Sequence, residues 1–350
     1  MQNNKVLVGM SGGVDSSAAA ILLKEQGYDV SGCMLKMHIP EGGVSKDAAD
    51  AKAVADSLGI PFCVADYSDR FDNCVIKYFT DTYFEGKTPN PCVFCNKNMK
   101  FPCMLDAADK CGCHYIATGH YAKVSCRNGR YILERGADRK KDQSYMLYAL
   151  GQDILSRVIF PLGSLTKEEI REYARKAGLS VADKKDSQDI CFIKGTDYGT
   201  FIKDRTGITS PAGEFRDIDG KIIGTHKGII SYTVGQRKGL GISSEEPYYV
   251  VDKNVAQNTV VLGREKDLYA TRVFAENVNF IPFDSLTQSM KVTAKLRYSQ
   301  TDSVCTVSPT EKGFVLEFDT PQRAVTPGQS AVLYDGDTVI GGGVIVGTRE

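Results

Sequence analysis

The chain has 350 residues, in which 43 Lys and Arg balance 43 Asp and Glu, 25% of positions are charged and 42% are hydrophobic. At about 100–200 residues per domain, this length predicts two or three domains with cores of their own, and the composition excludes a wholly disordered chain. The apolar run Val6 to Met10 is far short of the ~20 residues that cross a bilayer, and the start Met1-Gln2-Asn3-Asn4 carries no signal-peptide pattern. A membrane span is therefore excluded and a cytoplasmic location expected.

Through the first two hundred residues, apolar runs of strand length alternate with helical stretches, the pattern of βαβ units in a parallel sheet. Lys5 to Met10 reads as the first strand and Asp15 to Gln26 as an Ala- and Leu-rich helix ended by Gly27. Val30 to Met37 is a second strand, Ala48 to Leu58 a helix, Phe62 to Asp66 a strand, Arg70 to Phe84 a helix and Tyr115 to Thr118 a short strand. Between Lys123 and Lys141 stand seven Lys or Arg against two acids, an excess that fits contact with several phosphates or a solvated hairpin face. After about Arg205, Gly, Pro and Asp turns separate short stretches rich in Val, Ile, Tyr and Thr, which is all-β language. The division predicted is a catalytic domain at 1–205, a central β-rich module at 206–270 and a β-barrel-like module at 271–350.

The strongest signal is Gly9-Met10-Ser11-Gly12-Gly13-Val14-Asp15-Ser16-Ser17, placed between the first strand and the first helix. Two consecutive glycines let the backbone approach an anion, three serines add hydroxyl donors, and the helix that follows directs its first amides and its positive dipole end at the same place. Phosphate is the natural occupant. A Walker loop is excluded, because Gly86-Lys87-Thr88 has Asp81 where the first glycine is required. The order S-G-G-x-D-S after an N-terminal strand resembles the loop of the ATP pyrophosphatases, which cleave ATP between its α and β phosphates to adenylate an oxygen. That resemblance implies a doubly wound α/β domain and places Asp15 near magnesium and the phosphates.

Eleven cysteines predict a reducing compartment, where thiols serve as nucleophiles or ligands. Cys92 and Cys95 lie three apart in Thr88-Pro89-Asn90-Pro91-Cys92-Val93-Phe94-Cys95-Asn96-Lys97, a loop stiffened by two prolines and followed by a helix. A helix N-terminus lowers thiol pKa, which predicts Cys95 as the readier thiolate. Cys191 stands alone, far along the chain, with Lys184 and Lys185 upstream to favour its thiolate. Cys33, Cys63, Cys74, Cys103, Cys126 and Cys305 read as small core residues, and Cys111-Gly112-Cys113 as structural. The four histidines are too scattered for a metal set, although His120 falls within the motif Ala117-Thr118-Gly119-His120-Tyr121.

The loop Gly9 to Ser16, Thr88 to Lys97, Ala117 to Tyr121, Lys141-Asp142-Gln143-Ser144-Tyr145, Ile190-Cys191-Phe192-Ile193, Val234 to Gly241, Arg297-Tyr298 and Thr326 to Ala331 together resemble the tRNA-specific 2-thiouridylases, the MnmA family. The ordered set covers nearly the whole chain. The resemblance implies ATP-dependent 2-thiolation of the wobble uridine of tRNA, with sulfur relayed from a cysteine desulfurase or a carrier protein, in a protein expected to be monomeric. It implies that ATP lies on Gly9, Met10, Ser11, Gly12, Gly13, Val14, Asp15 and Ser16, with Leu35 and Gly119 touching the nucleotide through backbone. Asn90, Pro91 and Cys92 would face the target base. Lys141, Asp142, Gln143, Arg297, Tyr298 and Gln329 would hold tRNA with His120 nearby, Cys191 would carry a persulfide and Cys95 would act as partner nucleophile.

One departure stands out: many members have Asp where this chain has Cys92. The three thiols Cys92, Cys95 and Cys191 then offer an alternative, an iron–sulfur cluster with one iron open to sulfide. Two rival readings keep the phosphate loop. One is a small-molecule ligase, which would need no thiol set; the other is a non-catalytic RNA- or cluster-binding protein, against which intact Ser11, Asp15 and Ser16 argue.

Overall fold

A computed structural model describes residues 4–37, 46–179, 181–182, 190–193 and 195–349. Its first layer is a parallel sheet built from β1 (Lys5–Gly9), β2 (Asp29–Lys36), β3 (Phe62–Asp66) and β4 (Tyr115–Ala117). After an antiparallel hairpin of β5 (Ala122–Arg127) and β6 (Arg130–Arg135), β7 (Val158–Ile159) completes it. The order is β3-β2-β1-β4-β7, with Gly9 of β1 level with Cys33 of β2, and Val8 level with Ala117 of β4. Val6, Leu7 and Val8 are all buried, as consecutive residues must be when helices cover both faces of a parallel sheet. On one face Leu7, Cys33 and Ile116 meet Phe101, Met104 and Ala108 of the helix Phe101–Lys110. On the other, Val6, Val8 and Val30 meet α1 (Val14–Glu25), α2 (Lys46–Leu58) and the helix Lys167–Lys176. The run of Ala18, Ala19 and Ala20 lets α1 sit close to the sheet, which brings its first turn to the ends of β1 and β4.

The expected elements appear within one or two residues at their ends. The stretch predicted as a helix over Arg70 to Phe84 runs from Ser68 to Phe84, with a π segment at Asp72–Ile76, and a second π segment, Asn96–Lys100, separates Pro91–Cys95 from Phe101–Lys110. Such segments are rare and recur at functional sites, because the extra residue per turn re-aims the side chains on either side.

Two β modules follow. The first is a four-stranded sheet of Gly213–Asp217, Ile222–His226, Tyr249–Asn254 and Thr259–Gly263, whose core residues Phe215, Val250 and Leu262 run on into Phe71, Phe79 and Phe192 of the first domain. The second is a barrel of six strands from Tyr269 to Gly347, closed by pairing of Tyr269–Phe280 with Thr338–Gly347. The β5–β6 hairpin joins this barrel, with Glu134 level with Thr338. Four arginines of the basic stretch are paired with carboxylates of the chain: Arg127 with Glu134 of the same hairpin, Arg130 with Asp284, Arg135 with Asp302 and Arg139 with Asp337. Arg135 also lies 3.6 Å over the Tyr334 ring. Arg130, Arg135 and Arg139 thereby tie the first domain to the barrel. Among the described residues, no helix is long and apolar enough to cross a membrane.

Candidate active site

The double-glycine turn is held from within. Ser16 Oγ accepts from the Ser11 amide at 3.1 Å and donates to the Gly13 carbonyl at 3.1 Å, while Ser17 Oγ donates to the same carbonyl at 2.9 Å. The Met10 amide donates to the Cys33 carbonyl, tying the loop to the neighbouring strand. Gly12 has φ +70°, and a Cβ there would lie 2.4 Å from the Asp47 carbonyl oxygen at the start of α2, so no side chain fits. At Gly119 a Cβ would fall 2.7 Å from the Asp15 carbonyl carbon and 2.9 Å from the Ser16 nitrogen. The turn after β4 therefore lies against the first turn of α1, whose leading amides have no intrahelical acceptor. Leu35 is half-buried near the end of β2, two residues beyond the level of Gly9.

Asp15 is not left pointing at solvent. Its carboxylate accepts Lys167 Nζ at 2.7 and 2.8 Å and the Tyr121 hydroxyl at 2.7 Å. Lys167 is the first residue of the helix Lys167–Lys176, which starts in a Thr166/Glu169 capping box.

The thiol loop is braced from the barrel. Asn90 caps the helix Pro91–Cys95 through Oδ1, which accepts the Val93 amide, and Pro91 occupies the first turn where its missing N–H costs nothing. Gln329 Nε2 donates to the Thr88 and Pro89 carbonyls at 3.1 and 3.0 Å, and the Thr88 amide donates to Pro327. Asn96 donates to the Met146 carbonyl at 2.8 Å, fixing the π segment from the other side. Phe94 is stacked face to face on Tyr78 with ring centroids 3.8 Å apart, so one of its faces is already used.

Cys92 and Cys191 are exposed and Cys95 is half-buried. The three lie within electrostatic reach of one another, and Lys100 reaches both loop thiols. Desolvation pushes the Cys95 thiol up to about 12, with the Lys100 ammonium opposing and the neighbouring thiols adding to the rise. Cys92 is raised too, first by desolvation from the surrounding chain, although its residue surface is open, and then by Cys191. This corrects the expectation of a ready Cys95 thiolate: Cys95 closes the Pro91–Cys95 segment of a continuous helix rather than opening it, so the dipole does not reach it as it would an N-terminal thiol. Lys184 and Lys185 lie outside the described residues.

His120 joins the two halves. Its Nδ1 is 2.6 Å from Thr118 Oγ1 and its Nε2 is 3.4 Å from Lys100 Nζ. Desolvation, and then Lys100, hold its pKa well below the usual imidazole range, so it is neutral and its Nε2 is available as an acceptor for Lys100. From Asp15 and Ser16 the site thus leads through Gly119 and His120 to Lys100, whose charge acts on Cys92 and Cys95. Lys100 and Lys167 were not singled out from the sequence, and Tyr121 stood only as the last residue of the motif Ala117 to Tyr121.

The other singled-out residues are mostly engaged within the chain. Asp142 is buried, its Oδ1 accepting the Gly136 and Ser144 amides and its Oδ2 the Ser144 hydroxyl. Gln143 Oε1 accepts the Tyr121 amide at 3.0 Å. Arg297 donates to the Val234 and Ala324 carbonyls and to Thr326 Oγ1, clamping the central module to the barrel. Lys141 is half-buried, and Tyr298 is exposed beside Tyr145. Among the expected core cysteines Cys33, Cys103 and Cys305 are buried and Cys63 and Cys74 half-buried, but Cys126 is exposed because it lies near the tip of the β5–β6 hairpin. Among the described residues no group of three His, Cys, Asp or Glu side chains is disposed to hold a metal ion. Cys92, Cys95 and Cys191 do not form such a group.

A parallel sheet whose first strand turns through two glycines into a helix N-terminus, with thiols reached along the adjoining strand end, defines an ATP-pyrophosphatase type of nucleotide-binding enzyme. Family models match in sequence along the chain: the tRNA methyl transferase HUP domain at residues 4–195, the tRNA methyl transferase PRC-barrel domain at 199–264 and the aminomethyltransferase beta-barrel domain at 270–345. The tRNA-specific 2-thiouridylase MnmA 1 of Caldanaerobacter subterraneus subsp. tengcongensis is 49% identical, the match covering 98% of each chain. MnmA 2 of Clostridium tetani is 52% identical, over 97% of this chain and 98% of the relative. MnmA of Acetivibrio thermocellus is 48% identical, over 99% of this chain and all of the relative. The chain belongs to the tRNA-specific 2-thiouridylase (MnmA) family.

Proposed function

We propose that this chain uses ATP to replace the 2-oxygen of the wobble uridine of tRNA with sulfur, in three parts: catalysis at 1–205, with 206–270 and the barrel at 271–350 supporting and contacting the RNA. The observation that carries this reading is that the turn at Gly119 lies against the phosphate loop and leads through His120 to Lys100, whose charge acts on both loop thiols, since both halves of the chemistry have to meet at one base. ATP is a substrate, and the crowded glycines at positions 12 and 119 fit a backbone cradle for its phosphates. Asp15 is the residue that would hold magnesium together with those phosphates, the metal neutralising the charge of the departing pyrophosphate.

The uridine 2-oxygen attacks the α-phosphorus and pyrophosphate leaves, which converts a poor leaving group into AMP. Cys191, loaded as a persulfide by a desulfurase or carrier, then presents its outer sulfur to C2, and AMP departs with the former uridine oxygen. Cys95 attacks the inner sulfur of Cys191, which frees the thiocarbonyl and leaves a Cys95–Cys191 disulfide for a cellular thiol to reduce. In a variant with the same balance, Cys95 attacks first and hydrosulfide is the nucleophile. Either route requires Cys95 to lose its proton on demand, and Lys100 is the cation placed to favour that. Cys92, on the turn that Asn90 and Pro91 set, faces the base, which must leave the anticodon stack. Asp142, Gln143, Arg297 and Gln329 serve RNA binding by setting the surfaces that Lys141, His120 and Tyr298 present. We place the enzyme in the cytoplasm as a monomer, and route no step through an iron–sulfur cluster.

Pyrophosphate release, measured with and without tRNA lacking the thio group, tests the reading. Release that depends on undermodified tRNA and matches 2-thiouridine formed is expected; release driven by a small amine or acid with no RNA would replace it with the ligase reading.

A further inference from the structure

A second group of thiols stands on the parallel sheet. Cys33 of β2 is level with Gly9 of β1 on one side and with Cys63 of β3 on the other, so three neighbouring strands carry these residues in one row. Cys33 is buried in the core that includes Phe101, Met104 and Ala108, and Cys63 packs half-buried against the same core. The helix Phe101–Lys110 ends there in a left-handed turn. Gly112 has φ +68°, its amide donates to the Asp109 carbonyl at 3.2 Å, and the Cys113 amide donates to the Ala108 carbonyl at 2.8 Å. That turn fixes the backbone of Cys111, whose residue is exposed and whose thiol is hydrogen-bonded to that of Cys63. Cys63 is in turn hydrogen-bonded to Cys33. Among the described residues these thiols do not form a group disposed to hold a metal ion.

We propose that Cys63 and Cys111 are a thiol-oxidation site, a reversible dithiol–disulfide pair that staples the edge strand β3 to the end of the helix Phe101–Lys110. Access to the three thiols is graded. Cys111 is open to solvent, Cys63 is half-buried behind it and Cys33 is buried, so a dissolved oxidant meets Cys111 first and Cys63 is the thiol in reach to resolve it. Desolvation, and then Cys63, push the Cys33 thiol far above the usual range, which keeps it protonated and out of the exchange. The oxidant is a low-molecular-weight disulfide. The Cys111 thiolate attacks one of its sulfurs, forming a mixed disulfide and releasing one small thiolate; Cys63, its proton passed to solvent, then attacks the Cys111 sulfur and expels the second. Two protein thiols are oxidised, the small disulfide is reduced to two thiols, and an excess of small thiol reverses both steps. The link matters because β3 is the outermost strand of its sheet, only five residues long, with Val64 52% exposed. Such a strand opens more readily than the central ones, and a bond to a helix end that is fixed by its own turn holds it in place.

The test incubates full-length wild type, Cys111→Ser and Cys63→Ser with oxidised glutathione, blocks the remaining thiols in acid and maps linked peptides by mass spectrometry. Hydrogen exchange of the β3 amides is then compared with protein reduced by dithiothreitol. In wild type the Cys63–Cys111 link should exceed any other link from either residue by about tenfold or more, because adjacent thiols have a high effective concentration. Exchange across Phe62–Asp66 should slow by about tenfold or more, and both effects should reverse with dithiothreitol. Cys111→Ser should lose the link and the slowing together, and Cys63→Ser should stop at a mixed disulfide on Cys111. A Cys33–Cys63 link, a mixed disulfide persisting on Cys111 of wild type with Cys63 free, or no oxidation of either residue would overturn the assignment. Unchanged β3 exchange in linked protein would overturn the staple.

Discussion

Gly119→Ala is the most direct probe of how the phosphate loop is built. The added methyl carbon would sit 2.7 Å from the Asp15 carbonyl carbon, 2.9 Å from Asp15 Cβ and 2.9 Å from the Ser16 nitrogen. Ordinary contacts between such atoms are about 3.5–4.0 Å, so the turn after β4 and the first turn of α1 have to separate by roughly 0.8–1.3 Å. All three obstacles lie at the start of a packed helix and none is a flexible side-chain end, so relief comes from displacing the amides that would meet phosphate. Overpacking of this kind costs about 1–3 kcal/mol of stability, and misaligning one charge-assisted hydrogen bond costs a similar amount of binding, or about 10- to 100-fold in ATP affinity. Urea unfolding and ATP titration measure the two effects. Gly347→Ala is the control, since a methyl there meets nothing nearer than 3.8 Å. ATP affinity within twofold of wild type in Gly119→Ala would refute the tight apposition of the two turns.

Two further outcomes follow from the same geometry. Lys100→Met removes the cation that opposes desolvation of Cys95, so alkylation of that thiol at pH 8.5, in a background with Cys92 and Cys191 replaced by serine, should slow roughly three- to tenfold and be restored by Lys100→Arg; an unchanged rate would detach Lys100 from the thiol. His120 has a folded pKa well below its unfolded value of about 6.5, so its contribution to stability is complete above that value and is lost as pH falls below it, by up to about 1.4 kcal/mol per pH unit. Urea midpoints between pH 7.5 and 5.5 should therefore fall more steeply for wild type than for His120→Gln, and parallel slopes would contradict a desolvated, neutral imidazole.

The parallel sheet was legible because its strands are buried on both faces and read as plain apolar runs, Val6 to Val8 being the clearest. The phosphate loop was legible because its glycines, serines and Asp15 are adjacent in sequence and their chemistry is local. What escaped was what depends on the tertiary fold. Lys167 and Lys100 are ordinary helix lysines, and nothing in their neighbourhoods shows that they meet Asp15 and His120, 152 and 20 positions away. The basic stretch fitted either phosphate contact or a solvated face, because the partners Asp284, Asp302 and Asp337 of Arg130, Arg135 and Arg139 arrive from the barrel. Gln329 and Arg297 carried motif signals, but only the fold shows them bracing the Thr88–Pro89 backbone and the module seam. The Cys95 thiol was misjudged for the same reason: its protonation is set by packing around a helix interior, which spacing alone does not reveal.

The convergence of nucleotide and sulfur on one base is tested most directly in a single turnover with undermodified tRNA, ATP and a persulfide donor, counting pyrophosphate and 2-thiouridine in parallel for wild type and Cys191→Ser. The account predicts equal yields of the two in wild type, and pyrophosphate with no 2-thiouridine in the variant. Continued thiolation by Cys191→Ser, or loss of pyrophosphate release together with thiolation in a folded variant, would contradict it.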